Sequence, residues 1–221
     1  MKDSRYQYIF WDFDGTLVDT FPGVAESLRY ALGCFGIEEK DQSVFRRFIG
    51  PPFRESLPAA YGFSREQTEE VIARYREYYD GEGAMYHCSL FPGVKEAIDR
   101  FRENGFRQYI ASSKPQTMCV SILQEKQIID SFDGVFGASL DGRIDTKQDV
   151  LFEAIRVLGN PDRGSIVLIG DTKYDADGAR DAGIGCIGVT YGFGTREELE
   201  KHGADPVFDS IEEAGDYLIS E

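Results

Sequence analysis

Apolar and polar positions along this chain follow two different periods, and the change between them divides it. Near the start, Tyr8-Ile9-Phe10-Trp11 is a continuous apolar run that ends in Asp12-Phe13-Asp14-Gly15-Thr16. A short unbroken apolar run closed by a glycine turn predicts a strand buried on both faces, as in a parallel sheet. From about Phe21 to about Ser89 no strand pattern recurs. Asp19-Thr20-Phe21-Pro22-Gly23 reads as a turn into a helix carrying Val24, Leu28, Leu32 and Phe35 on one face, with Gly36 near its stop. Helical spacing returns over Val44 to Ile49. Ser64-Arg65-Glu66-Gln67 is a capping box in front of Val71, Ile72, Tyr75 and Tyr79.

Beyond Phe91-Pro92-Gly93 the two periods alternate. Val94, Ile98 and Phe101 predict an amphipathic helix that stops near Asn104-Gly105, and Phe106 to Ala111 reads as the next strand. Further strands are expected at Val135-Phe136-Gly137, at Ser165-Ile166-Val167-Leu168-Ile169, at Cys186-Ile187-Gly188-Val189 and at Pro206-Val207-Phe208. Helices fall between them, one opened by Thr195-Arg196-Glu197-Glu198. Such alternation predicts an α/β fold, a doubly wound, Rossmann-like and mainly parallel sheet. The helical block reads as a module inserted after the first strand, giving a core of 1–20 with 90–221 and an insert of 21–89.

Composition narrows the partners. The 221 residues are 42% hydrophobic, enough to bury a sizeable core, and the formal net charge is -15. Nucleic acid and anionic membrane both require a basic footprint, so neither is expected as a partner. An acidic surface also repels anionic substrates, so a phosphate site needs cations placed locally. No apolar run approaches the roughly 20 residues of a membrane span, and Met1-Lys2-Asp3-Ser4-Arg5 leads into a strand-like segment rather than a signal sequence. The expectation is a cytoplasmic protein, monomer or homodimer. Cys34, Cys88, Cys119 and Cys186 are scattered with no CxxC pair, which predicts free thiols rather than a disulfide or zinc site. There are no repeats and no low-complexity linker.

Three places carry chemistry. Asp12 and Asp14 leave the C-terminal end of the first strand, where open α/β sheets place their ligand crevice. Paired carboxylates there repel and lose hydration, so a cation or a proton must compensate, and a hard divalent ion such as Mg²⁺ suits oxygen ligands. Val167-Leu168-Ile169-Gly170-Asp171 repeats that strand-end geometry, with Asp175 four residues further on. Asp175 and Asp177 also read as helix caps or first-turn dipole partners. After the strand ending at Ala111, Ser112-Ser113-Lys114-Pro115 puts a hydroxyl pair at the mouth of the next helix. There it either meets an anion or caps the helix.

These residues resemble the motifs of the haloacid dehalogenase (HAD) superfamily of phosphotransferases. Asp12-Phe13-Asp14-Gly15-Thr16 resembles the first motif, DxDGT, and Ser112 resembles the second, a Ser or Thr ending the second strand. Lys147 matches the third, a Lys near the N-terminus of the helix before the next core strand. Its usual partner proline is missing from Asp145-Thr146-Lys147-Gln148-Asp149-Val150, and Lys114 competes for the same role. Gly170-Asp171 through Asp175, then Ala179-Arg180-Asp181-Ala182-Gly183, resembles the fourth motif, GDxxxD followed by AxxAG.

The resemblance covers essentially the whole chain and implies a HAD-like core with a small helical cap, of the phosphoglycolate phosphatase-like branch. It implies a Mg²⁺-dependent phosphatase acting on a small phosphorylated metabolite through an aspartyl phosphate. In that scheme Asp12 is the nucleophile and Asp14 the acid and base. Asp12, Asp14, Asp171 and Asp175 serve the metal, while Gly15, Thr16, Ser112, Ser113 and Lys147 serve the phosphoryl group. An acid at Asp14 separates the chain from the family's dehalogenases, since halide leaves without a proton. Phosphomutases of the family commonly carry a His leading into the cap, whereas Thr20-Phe21-Pro22-Gly23-Val24 has none, and His87 and His202 read as ordinary residues. In the cap, Phe48 to Ser56 resembles a segment of the phosphoglycolate phosphatase-like branch. Gly50, Arg47 and Arg54 are the specificity candidates there, against the reading of a plain Gly-Pro turn with surface arginines. Tyr75, Tyr78 and Tyr79 read as packing. A nucleoside monophosphate is the alternative substrate, followed by sugar phosphomutase and non-catalytic scaffold readings, and hinges are expected near Leu17 to Asp19 and Ser89 to Gly93.

Overall fold

The apolar run Tyr8–Trp11 forms β1, and a computed structural model of the chain describes residues 5–220 around it. Positions 1–4, where no signal sequence is expected, lie outside the described residues, as does 221. The chain divides into two compact units, Met1–Val18 with Leu90–Glu221 and Asp19–Ser89. The connections between them, β2 (Val18–Asp19) and β3 (Ser89–Leu90), pair as a two-stranded ribbon.

The Asp19–Ser89 unit is helical, as its 3.6-residue spacing requires. α1 (Phe21–Gly33) buries Val24, Leu28 and Leu32, and α2 (Phe53–Tyr61) buries Leu57. α3 (Arg65–Arg76) starts at the expected capping box and buries Val71, Ile72 and Tyr75. Three segments depart from α geometry, one of them the short 3₁₀ turn Ala84–Tyr86. Gln42–Phe48 is a 3₁₀ helix, and α3 widens into a π turn over Glu77–Gly81. That widening sets Tyr79 almost parallel to Tyr75, ring centroids 5.1 Å apart, so Tyr79 stays in the core although the α helix ends before it. Phe53 meets Tyr75 edge-on at 4.7 Å, making the centre of this unit largely aromatic.

The other unit continues with α4 (Val94–Glu103), β4 (Arg107–Pro115), α5 (Gln116–Glu125), β5 (Gly134–Ala138), α6 (Lys147–Val157), β6 (Ile166–Gly170), α7 (Lys173–Ala182), β7 (Gly185–Val189), α8 (Arg196–His202), β8 (Val207–Phe208) and α9 (Ile211–Ser220). The six core strands are ordered β5-β4-β1-β6-β7-β8, and every pair is parallel, the doubly wound α/β sheet that the alternation predicts. Strand order reverses at β1, which pairs with β4 on one side and β6 on the other. Phe10 points into the layer formed by Val150, Leu151 and Ala154 of α6 and Ala176 and Ala179 of α7. Trp11, next in sequence, points to the opposite face and lies against Phe101 of α4 at 5.7 Å. All four cysteines are free, Cys119 and Cys186 buried. Among the described residues no helix is long and apolar enough to cross a membrane.

One polar side chain sits deep in this core. Gln108 on β4 is 1% exposed; its Oε1 accepts from Trp11 Nε1 at 3.1 Å and its Nε2 donates to the Ile98 carbonyl at 2.9 Å. The amide therefore ties β1, β4 and α4 together and satisfies two buried groups that otherwise have no water to turn to. Replacing it, as Gln108→Leu, should lower the unfolding free energy by roughly 1–3 kcal/mol by orphaning the indole N–H and that carbonyl. Urea denaturation of both proteins measures this, and a difference within about 0.5 kcal/mol would contradict it.

Candidate active site

Parallel register brings the two strand-end acids together. Trp11 of β1 stands opposite Ile169 of β6, and the Asp12 N–H donates to the Ile169 carbonyl at 2.9 Å, so Asp12 and Asp171 leave the sheet side by side at its C-terminal edge. Asp171 is wholly buried and Asp12 is 7% exposed. Asp175 joins them from the first turn of α7. Its Oδ2 accepts from the Thr172 N–H at 3.0 Å and from the Thr172 hydroxyl at 2.8 Å, a reciprocal cap that fixes its rotamer. One carboxylate oxygen from each of Asp12, Asp171 and Asp175 lies within 4.8 Å of the others. The helix-cap role foreseen for Asp175 and its place in this cluster are thus both realised, through different oxygens.

Lys147 is the first residue of α6, held there by a capping box between Thr146 and Asp149. Its ammonium bonds Asp12 Oδ1, donates to the Ala111 carbonyl at 2.8 Å and pairs with Asp175 Oδ1 at 2.8 Å. Three acceptors match the three N–H groups of an ammonium. In this state Lys147 clamps the two acids and the end of β4, rather than offering a proton to a phosphoryl oxygen. The missing proline does not displace it. Lys114, its competitor, is also in the site: its side chain is 7% exposed and its Nζ donates to Asp14 Oδ1 at 3.1 Å. Lys147 thus pairs with Asp12 and Asp175, and Lys114 with Asp14.

The remaining candidates fall in two groups. Gly15, at φ +90°, leaves no room for a Cβ, which would strike the Asp171 carboxylate and the Phe193 ring. Thr16, expected at a phosphoryl oxygen, is fully buried and its hydroxyl donates to Asp171 Oδ1 at 3.0 Å, so it holds the acid instead. Ser112 and Ser113 do not cap α5, whose N-cap is Pro115 with no side-chain bond. They lie within β4, where its ladder with β5 breaks between Ser112 and Pro115, and Ser112 Oγ accepts from the Lys114 N–H at 3.2 Å. In the Asp19–Ser89 unit, Gly50 adopts φ +101°, Arg47 stacks over Phe48 at 5.0 Å and over Tyr61 at 5.6 Å, and Arg54 forks onto Glu69 at 2.6 and 3.0 Å. The contacts follow the surface reading of the two arginines. His87 bonds Glu26 and His202 bonds Asp177, apart from the acid cluster.

Electrostatics show what the cluster is short of. Burial, then the Asp175 charge, push the Asp12 carboxyl up to about 7, although Lys147 opposes this. Burial together with Asp175 and Asp12 raises Asp171 well above the usual carboxylate range, against donation from the Phe193 N–H and the Thr16 hydroxyl. Burial works to lower the Lys147 ammonium, and the Asp12 and Asp175 charges overcome it and hold the group above its usual range. Four carboxylates, Asp12, Asp14, Asp171 and Asp175, stand against two ammoniums, Lys114 and Lys147. The excess of two negative charges, on hard oxygen donors with no His or Cys in the set, fits one divalent cation. Residues Tyr191 and Phe193, which also touch this site, were not singled out from the sequence; the alternating glycines of Tyr191-Gly192-Phe193-Gly194 after a strand were the available signal.

Known proteins share this fold. Residues 9–189 match the family of haloacid dehalogenase-like hydrolases. The chain is 33% identical to a 5'-nucleotidase of Pseudomonas aeruginosa, over 91% of each chain. It is 26% identical to a phosphoglycolate phosphatase of Haemophilus influenzae, over 95% of this chain and 96% of that one. The crystal structure of a predicted phosphatase from Clostridium acetobutylicum superposes with a TM-score of 0.91 at 34% identity, covering 98% of this chain and 99% of that one. With that match running through β1, β4 and β6 and taking in Asp12, Lys147 and Asp171, the chain belongs to the haloacid dehalogenase-like hydrolase family.

Proposed function

We propose that this protein is a Mg²⁺-dependent phosphatase that hydrolyses a small phosphate monoester through an aspartyl phosphate on Asp12. The observation that carries the reading is the buried meeting of Asp12, Asp171 and Asp175 with Lys147 at the C-terminal edge of a parallel sheet. Phosphate monoester dianions resist nucleophiles chiefly by charge repulsion, so catalysis requires charge neutralisation and an aligned nucleophile. Asp12, Asp171 and Asp175, with the Asp14 main-chain carbonyl, would hold the cation, and its charge, when bound, offsets the repulsion between carboxylate and phosphoryl group.

The protein's own groups divide the work. An Asp12 oxygen forms a bond to phosphorus as the bond to the ester oxygen breaks. Asp14 gives its proton to the departing alkoxide, then takes one from the water that attacks phosphorus and releases inorganic phosphate and free Asp12. Lys147 fixes the Asp12 rotamer through its ion pair, and Asp175 fixes Lys147. Lys114, paired with Asp14, keeps that carboxyl on the site side of β4. Ser112 stands at the end of β4 as the phosphoryl-oxygen donor.

The substrate reading starts from phosphoglycolate, because Phe48 to Ser56 resembles a segment of that branch and a phosphoglycolate phosphatase is a relative over nearly the whole length. A second reading, a nucleoside 5'-monophosphate, is favoured by the higher identity to the 5'-nucleotidase and by the engagement of Arg54 with Glu69, which leaves that guanidinium an acidic partner already.

Asp12→Asn should cut turnover by a factor of roughly 10³ or more while the far-ultraviolet circular dichroism stays that of the wild type; near-normal activity in the variant would remove Asp12 as nucleophile. Millimolar Mg²⁺ added to EDTA-treated protein should raise the melting temperature by about 5 °C, and Asp171→Asn should abolish that shift; an unchanged shift in the variant would place the cation elsewhere. Assays with Mg²⁺ against 2-phosphoglycolate, nucleoside 5'-monophosphates and sugar phosphates decide the substrate. A preference of about tenfold in kcat/KM for phosphoglycolate supports the first reading and one for nucleotides the second, while no hydrolysis of any of them overturns the phosphatase assignment.

A further inference from the structure

The carboxylate of Asp171 is held from both sides by segments far apart in the chain. Its Oδ1 accepts from the Thr16 hydroxyl at 3.0 Å, and its Oδ2 accepts from the Phe193 N–H at 2.7 Å. Tyr191 joins the two supports. Its phenol hydroxyl donates to the Thr16 main-chain carbonyl at 2.9 Å, and it lies two residues before Phe193 on the turn that follows β7. The Tyr191 ring is itself fixed, at 4.9 Å from the Phe91 ring. Between Tyr191 and Phe193 only glycine fits, since a Cβ on Gly192 would strike both the Asp171 carboxylate and the Gly15 carbonyl.

We propose that Tyr191 is a positioning residue for Asp171: its hydroxyl locks Thr16 and the Tyr191–Phe193 turn into one cradle that sets the direction of the buried carboxylate. Asp171 is wholly enclosed, so no water replaces a donor that moves away. A carboxylate preset by two donors meets a cation without first reorganising, and the support behind those donors acts on cation affinity as surrounding hydrogen bonds do at metal sites. The Asp12 and Lys147 end of the site does not depend on this cradle, because those groups are held by β4 and α7. Cation affinity is therefore the property Tyr191 controls, ahead of the chemical step.

The inference rests on Asp171 as a metal ligand, and calorimetric titration of the full-length, EDTA-treated protein with Mg²⁺ separates the two. Tyr191→Phe keeps the ring on Phe91 and removes only the hydroxyl; it should bind Mg²⁺ about fivefold more weakly, the worth of one hydrogen bond, with its melting temperature in EDTA within about 2 °C of the wild type. Gly192→Ala sets a Cβ directly against the Asp171 carboxylate and is the control for a displaced ligand, weakening Mg²⁺ about tenfold or more; should Tyr191→Phe not fold, Phe91→Leu, which removes the ring that holds Tyr191, should weaken Mg²⁺ in the same direction as Tyr191→Phe. Wild-type protein that does not bind Mg²⁺ overturns the metal assignment and this inference with it. Wild-type binding with Tyr191→Phe (or, where it does not fold, Phe91→Leu) within twofold overturns this inference alone, as does a Tyr191 variant that melts lower in EDTA yet binds Mg²⁺ normally.

Discussion

Three carboxylates buried within 4.8 Å of one another constitute the constraint around which this protein is arranged. Left in a low-dielectric interior they repel, and burial raises Asp12 and Asp171 out of the usual carboxylate range. Lys147 relieves part of the repulsion by pairing with two of the three. The rest requires a cation or protons. An acid cluster of this kind is a poor device for stability and a good one for binding a divalent ion, because the free energy withheld in the metal-free protein is returned on binding.

The sheet makes the cluster possible. Parallel strands all present their C-terminal ends on one edge, so two strands in register deliver their next residues to the same place, Asp12 after Trp11 and Asp171 after Gly170. Helices that follow strands then open with their N-termini on that edge. Lys147 enters at the first residue of α6 and Asp175 in the first turn of α7, each fixed by a capping box. Caps that elsewhere would only start a helix here also fix the place of the candidate site residues. The reversal of strand order at β1 leaves Asp12 with neighbours on both sides, Ala111 of β4 and Ile169 of β6, and both contribute backbone contacts to the site.

The two lysines divide between two acids with different proposed duties. Lys147 faces the nucleophile candidate Asp12, and Lys114 faces Asp14, the candidate for proton transfer. In a chain with a net charge of -15, placing two nearly buried ammoniums at one sheet edge offsets part of the negative charge gathered there and leaves the remainder to a cation. The Asp19–Ser89 unit is built differently, around stacked aromatic rings rather than charges. Its arginines are engaged with Phe48, Tyr61 and Glu69 inside that unit.

Local patterns in the sequence determined a great deal. The apolar runs at Tyr8–Trp11 and Ile166–Gly170, the helix starts at Ser64 and Thr195, and the shift from helical spacing to alternation each depend on neighbours a few residues away, so each was legible before any fold was known. Family motifs added Asp12, Asp14, Lys147 and Asp171 as a set. Other features depended on contacts across the chain. No local rule tells that Thr16 bonds Asp171 rather than a ligand, that Ser112 and Ser113 stay in β4 instead of capping α5, or that Lys114 and Lys147 both lie in the site, because each outcome is decided by partners up to 155 positions away. The cradle of Tyr191, Gly192 and Phe193 around Asp171 is the clearest case: a residue's own sequence sets what it can donate or accept, and only the packed sheet decides which acceptor it meets.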